Sequence, residues 1–188
     1  MPRSHPKILP SYDSAALERA ALDYAARYAT TRSRLRAYLR RKLRERGWAE
    51  AEAPPVDALV ERFAERGYVD DRAFAVARAD ALLRRGYGAR RIGSALRAAG
   101  IDADVAGELD ERIGADAEAA AIRFARRKRI GPFAAAPPDP AQMRRWFAAM
   151  IRAGHPTRLV YRLLDMDAGE VDVAPDGVPS ECRFRESE

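Results

Sequence analysis

Apolar residues along this chain recur at helical spacing, and one short signature closes three of the segments. Leu39, Leu43 and Gly47 are spaced by four; so are Ile92, Leu96 and Gly100, and so are Trp146, Met150 and Gly154. Spacing by four sets each apolar pair on one helix face, and glycine, which tolerates the left-handed conformation, ends the helix. The three glycines lie 53 and 54 residues apart. This register predicts tandem repeats, each of three helices.

The stretch Glu65 to Ile101, ERGYVDDRAFAVARADALLRRGYGARRIGSALRAAGI, shows the device most clearly. Gly67-Tyr68 stops one helix and Asp70-Asp71 starts the next, where a carboxylate accepts from free amides and suits the positive helix end. A helix over about 71–85 breaks at Gly86-Tyr87-Gly88, and another over about 89–99 stops at Gly100-Ile101.

The remaining elements fall into place around it. Residues 1–13 hold three prolines without periodicity and are expected to be a disordered lead. The first repeat, 14–66, has Leu17, Ala21, Tyr24 and Tyr28 on its first helix, Leu35, Leu39 and Leu43 on its second, and Val56, Leu59 and Phe63 on a third that starts near Pro55. The second, 67–114, adds a helix over about 102–113 with Asp102 as N-cap and Val105, Leu109 and Ile113 inward. The third, 115–167, carries Ile122 and Phe124, a proline-rich break at 131–140, the Trp146 helix, and a last helix with Leu159, Leu163 and Leu164. Residues 168–188 are acidic and aperiodic, so disorder is expected there. No segment alternates at period two. The expected fold is all-α, three tandem three-helix repeats in an elongated, curved array. Phe74 is the expected core anchor between the first two repeats.

Charge sharpens the picture. Of the 34 basic residues only Lys7, Lys42 and Lys128 are lysine. Residues 165–188 contain eight acids and two arginines, so the net +6 of the chain divides into −6 there and +12 over 1–164. A bias of the source towards arginine accounts for the ratio of arginine to lysine but not for the +12. A body so basic suits an anionic partner: nucleic acid, a nucleoprotein or an acidic protein surface. No apolar run spans a bilayer, the N-terminus lacks a secretory core, and the lone Cys182 offers no disulfide framework, so a cytoplasmic protein is expected.

Catalytic chemistry finds little to work with. His5 and His155 have no second ligand at metal spacing, and His155 is expected to cover the end of its helix. There is no phosphate-cradling glycine loop, and Gly86-Tyr87-Gly88 follows no strand. Asp70-Asp71 fits helix capping better than acid–base work. We therefore expect no enzyme, no cofactor and no metal. The candidate binding residues are basic: Arg40, Arg41 and Arg44 with Lys42 on the second helix, Arg72 in the acidic start, Arg90, Arg91 and Arg97 on the equivalent helix of the second repeat, Arg126 and Arg127, and Arg144, Arg145 and Arg152 in the third. Equivalent positions in stacked repeats would form a stripe along one side. The competing reading is that they only solvate a surface. Tyr87 and Trp48 are candidate base-stacking groups, against a packing role at their helix turns.

GYVDDRAFA, RRGYGARRI and the AAGI stop resemble the RecX family, small regulators of the RecA recombinase. The resemblance covers about residues 15–167 and is most specific in the second repeat. Relatives often have proline where Ala89 stands, and glutamate where Tyr38 precedes Leu39. The resemblance implies a monomer without catalytic activity or cofactor. It implies binding to the recombinase filament on single-stranded DNA, in the filament groove, with restrained filament growth, strand exchange and ATP hydrolysis in recombination, DNA repair and the SOS response. Weak binding to single- and double-stranded DNA and no membrane contact go with that expectation. The alternatives are a direct DNA-binding module, since helix, Gly-Tyr-Gly turn and helix led by Arg90-Arg91 resemble a helix-turn-helix, or a helical scaffold.

Overall fold

Every named element is helical. The computed structural model describes residues 10–166. Its helices are α1 (Ser14–Arg27), α2 (Arg32–Arg46), α3 (Val56–Glu65), α4 (Asp71–Arg84), α5 (Ala89–Ala98), α6 (Ala103–Gly107), α7 (Asp110–Ala115), α8 (Ala117–Lys128), α9 (Pro140–Arg152) and α10 (Thr157–Leu164), with a 3-10 turn at Gly131–Phe133. The fold is all-α, as the periodicity requires. By contacts it divides into two compact units: residues up to Phe74 with Ala99–Ile101, and Ala75–Ala98 with Asp102 onward. The core of the first holds Leu17, Ala21, Leu35, Leu39, Val56, Leu59, Val60 and Phe63. The core of the second gathers Ala121, Ile122, Phe124 and Ala125 with Trp146, Met150, Leu159, Val160, Leu163 and Leu164.

The three glycine stops share one structural purpose. Each carries a positive φ: 81° at Gly47, 72° at Gly100 and 96° at Gly154. Each stop also presents a carbonyl, otherwise orphaned at a helix end, to a segment from earlier in the chain. In the first unit the Thr31 hydroxyl accepts from the Arg34 amide at 3.1 Å, capping α2, and donates to the Ala99 carbonyl at 2.6 Å. In the second unit the Gly88 amide donates to the Ala153 carbonyl at 2.9 Å and the Arg90 amide to that of Gly154 at 3.2 Å. At the first stop the Tyr12 amide donates to Gly47 at 3.1 Å, and the Ala49 amide returns a bond to Tyr12 at 2.9 Å. The start of α2 thus meets the stop of α5, the start of α5 meets the stop of α9, and the segment around Tyr12 serves the stop of α2. A β-carbon on Gly100 would lie under 3.0 Å from the Ser33 side chain, and one on Gly154 equally close to the Arg91 backbone.

Several expectations change. The lead is ordered at its end: Tyr12 is buried, bridges to Trp48, and lies under the Arg46 guanidinium at 4.1 Å. The backbone bonds to Gly47 and Ala49 supply the order that periodicity could not reveal. Residues 1–9 and the tail from 167, including Cys182 and His5, lie outside the described residues. The helix expected over 102–113 divides into α6 and α7, with Gly107 ending the first; Asp102 precedes α6 but makes no side-chain capping bond. Asp70 does cap α4, accepting from the Ala73 amide at 2.8 Å, while Asp71 instead accepts from the Arg32 amide at the start of α2, at 2.9 Å. Phe74 is only half-buried beneath the Arg34 guanidinium, 5.0 Å away. Ala75 and Ala79 take the buried face of α4, because methyl side chains allow closer helix approach than a ring.

Candidate partner-binding surfaces

In the second unit the turn between α4 and α5 is held from two sides. The Tyr87 amide closes α4 on the Leu82 carbonyl at 3.0 Å, and the Gly88 bond to Ala153 fixes the start of α5. Gly86 abuts the α8 backbone at Ala120 and Phe124 so closely that a β-carbon has no room. The His155 ring, fully buried, lies edge-on to Phe124 and places Nε2 3.1 Å from the Gly86 carbonyl. Its amide closes α9 on Met150, so the backbone ends its helix as expected, while the side chain braces a different turn. Burial pushes the His155 pKa down, partly opposed by the Gly86 bond, so the ring stays neutral.

That braced turn presents Tyr87 half-buried, with three guanidiniums around its ring: Arg85 at 5.5 Å, Arg127 at 5.9 Å and Arg91 at 6.0 Å. Arg127, from the last turn of α8, also donates to the Arg85 carbonyl and lies 5.4 Å from the Phe124 ring. Arg126 covers Phe133 at 5.4 Å. Arg90 and Arg91 are exposed in the first turn of α5. Among the described residues no carboxylate pairs with Arg85, Arg90, Arg91, Arg126 or Arg127. Like charges held together without counterions repel each other, and an incoming anion relieves that repulsion. Arg123 differs, being paired with Asp116 at 3.0 Å. Arg144 and Arg145 are exposed on α9, where Arg145 reaches Gln142 at 3.3 Å.

In the first unit the α2 arginines divide by partner. Arg36 and Arg40 turn to α3 and bind Asp57, at 2.5 and 3.2 Å, and Arg36 and Arg32 reach Glu61. The Arg36 hydrogen bond is the main reason that the Asp57 pKa is lowered. Arg40 is therefore engaged inside the protein. Arg41 and Arg44 join Arg34, Ala37, Tyr24 and Tyr38 around an open hollow of about 530 Å³. Arg72 is exposed in the first turn of α4. Trp48 is half-buried and donates through Nε1 to the Glu52 carbonyl at 2.6 Å, which fits packing and not base stacking. The sequence named Tyr87, Arg91 and Arg127 separately and only the structure brings them together; it did not single out Arg85, Arg34, Tyr24 or Tyr38 as binding residues. Arg85 stands beside the Gly-Tyr-Gly turn; Tyr24, four residues before Tyr28, reads equally well as core, and Tyr38 lies on a different helix.

Known proteins resemble this chain along most of its length. It is 34% identical over 172 residues to the regulatory protein RecX of Myxococcus xanthus (strain DK1622), covering 87% of this chain and 90% of that protein. The chain belongs to the RecX family. A second RecX, from Thermobifida fusca (strain YX), is 33% identical over 150 residues, with 78% and 79% covered. Residues 70–108, from the Asp70 cap through α6, match the RecX second three-helix domain. A crystal structure of regulatory protein RecX superposes with a TM-score of 0.58 over 80% of this chain and 72% of that one, at 19% identity, a likeness of fold. A regulatory role follows from RecX membership. Among the described residues no helix is long and apolar enough to cross a membrane.

Proposed function

We propose that this RecX-family chain is a non-catalytic, monomeric, cytoplasmic regulator of the RecA recombinase that binds its filament on DNA and limits filament growth, strand exchange and ATP hydrolysis. The observation that carries this reading is the cluster of unpaired guanidiniums around Tyr87. Arginine forks bind carboxylates and phosphates bidentately, and a filament on DNA offers both. Because the turn is braced by Gly86, Gly88 and His155, the cluster binds without first paying to order itself. Three tandem repeats, at the boundaries expected from sequence, would meet successive protomers of a helical filament. Contacts linked in this way raise affinity through effective concentration, without one deep pocket. Bound in that manner, the protein opposes the rearrangements that filament growth and ATP turnover require, and it needs no reacting group of its own.

A titration tests this reading. Fluorescently labelled single strands coated with the recombinase, the same strands bare, and duplex of equal length are each mixed with the protein at moderate salt. The proposal requires tightest binding to the coated strands. Preference for bare duplex would favour the second reading, a direct DNA-binding helix-turn-helix-like module, which the exposed Arg90-Arg91 pair at the head of α5 supports.

A further inference from the structure

We infer that the first unit carries a site for single-stranded nucleic acid on α1 and α2, where a series of tyrosine rings borders the arginine-lined hollow. The Tyr24 and Tyr38 rings are stacked, 4.1 Å between centroids and 14° from parallel. The Tyr28 ring lies 5.3 Å from Tyr24, tilted by 49° and not stacked on it, and stands in solvent at 57% exposure. Burial raises the Tyr38 pKa, so this phenol stays neutral at physiological pH. The hollow beside these rings is lined by Arg34, Arg41 and Arg44 together with Tyr24 and Tyr38, and no acidic residue lines it. Arg41 is held partly by Glu45 at 3.7 Å, whereas Arg34 and Arg44 pair with no carboxylate among the described residues.

The two features together select the ligand. An exposed tyrosine ring beside unpaired guanidiniums suits a polymer that offers flat apolar faces and regularly spaced negative charge. A single strand presents unpaired base faces that stack on tyrosine while its phosphates meet arginine. A duplex hides those faces, and an acidic peptide lacks them. In this arrangement an unpaired base stacks on Tyr28, and flanking phosphates lie against Arg44 and Arg34. Tyr28 is suited to the task because its side chain contributes little to the core, while its backbone amide independently closes α1 on Tyr24.

The test needs no recombinase, so its failure is distinguishable from failure of the regulatory reading. Binding of a labelled oligothymidine, an abasic oligomer with the same number of phosphates, and a duplex is followed by fluorescence anisotropy for the unaltered protein, Tyr28→Ala and Arg44→Glu. The expected result is that oligothymidine binds more tightly than the other two. Tyr28→Ala should weaken oligothymidine binding about 5- to 150-fold, the range for loss of one stacked base, and leave the abasic oligomer unaffected. Arg44→Glu should weaken both. Equal affinity for oligothymidine and the abasic oligomer, preference for duplex, or no effect of Tyr28→Ala each overturns the inference. Photo-crosslinking with 5-iodouracil in the strand supplies a second reading: adducts at Tyr28 or Tyr24 support the site, and adducts confined to Tyr87 overturn it.

Discussion

Gly100→Ala is expected to cost about 2–5 kcal/mol, in two separable parts. A φ of 72° is left-handed, where a β-carbon costs roughly 1–2 kcal/mol. The new carbon would also stand under 3.0 Å from the Ser33 side chain, in the first turn of α2. Overpacking of this kind adds about 1–3 kcal/mol as α2 moves away, and the Thr31 bond to the Ala99 carbonyl lengthens with it. Ser33→Gly removes the obstructing atoms at a cost of about 0.5–1 kcal/mol in helix propensity. In that background Gly100→Ala should cost only the backbone part, about 1–2 kcal/mol. Gly67 supplies a control, since its φ is 73° but no atom lies within 4 Å of the added carbon; Gly67→Ala should also cost about 1–2 kcal/mol. Urea denaturation followed by circular dichroism measures each variant, and the double-mutant cycle isolates the coupling. At about 2–4 °C per kcal/mol for a chain of this size, Gly100→Ala should lower Tm by roughly 10 °C. Equal costs of Gly100→Ala with serine or glycine at position 33 would refute the close approach, and with it the account of how the α5 stop meets the start of α2.

Phe74→Ala should cost about 1–2 kcal/mol, below the 3–5 typical of a fully buried ring, because Phe74 is half-buried under Arg34; a larger loss in thermal melts would place the ring in the core. Tyr12→Ala should cost about 3 kcal/mol and lower Tm measurably, since the ring is 5% exposed; an unchanged Tm would mean that the lead does not brace the first stop. His155 has a folded pKa below its unfolded value, so its contribution to stability is present above about pH 6.5 and is lost as pH falls from there towards the folded pKa. His155→Gln should flatten that part of the stability–pH curve, measured by denaturation between pH 5 and 8; an unaltered slope would assign it to other groups.

Much of the fold was legible because periodicity and punctuation agreed. Ile92 and Leu96, and Trp146 and Met150, are buried as their spacing requires, and Leu39 is buried while Leu43 is only partly so; the glycine after each pair has positive φ. What spacing could not show was the partner of each stop. Tyr12 looked like part of a proline-rich lead because its order comes from bonds to residues more than thirty positions away. Phe74 misled because hydrophobicity ranks a phenylalanine above alanine, while close helix packing favoured Ala75 and Ala79. The basic residues were legible as a class but not as individuals. Sequence gives Arg40 and Arg44 the same helix face, yet Arg40 is occupied by Asp57 and Arg44 is not, a difference decided by where α3 lies. Arg85, Tyr87, Arg91 and Arg127 come from three places in the chain and meet only after α8 packs against the turn.

The central claim is that the arginines around Tyr87, with Arg90 beside them at the head of α5, engage the recombinase filament, and charge reversal tests it most directly. Arg90→Glu with Arg91→Glu should leave the circular dichroism spectrum and Tm nearly unchanged, because both side chains are exposed and surface charges contribute little to folding. The measurement is inhibition of the recombinase's DNA-dependent ATP hydrolysis over a range of salt. The account predicts that the unaltered protein inhibits less as salt rises, through screening of its contacts, and that the reversed variant does not inhibit at all. Inhibition by the folded variant equal to that of the unaltered protein would contradict it.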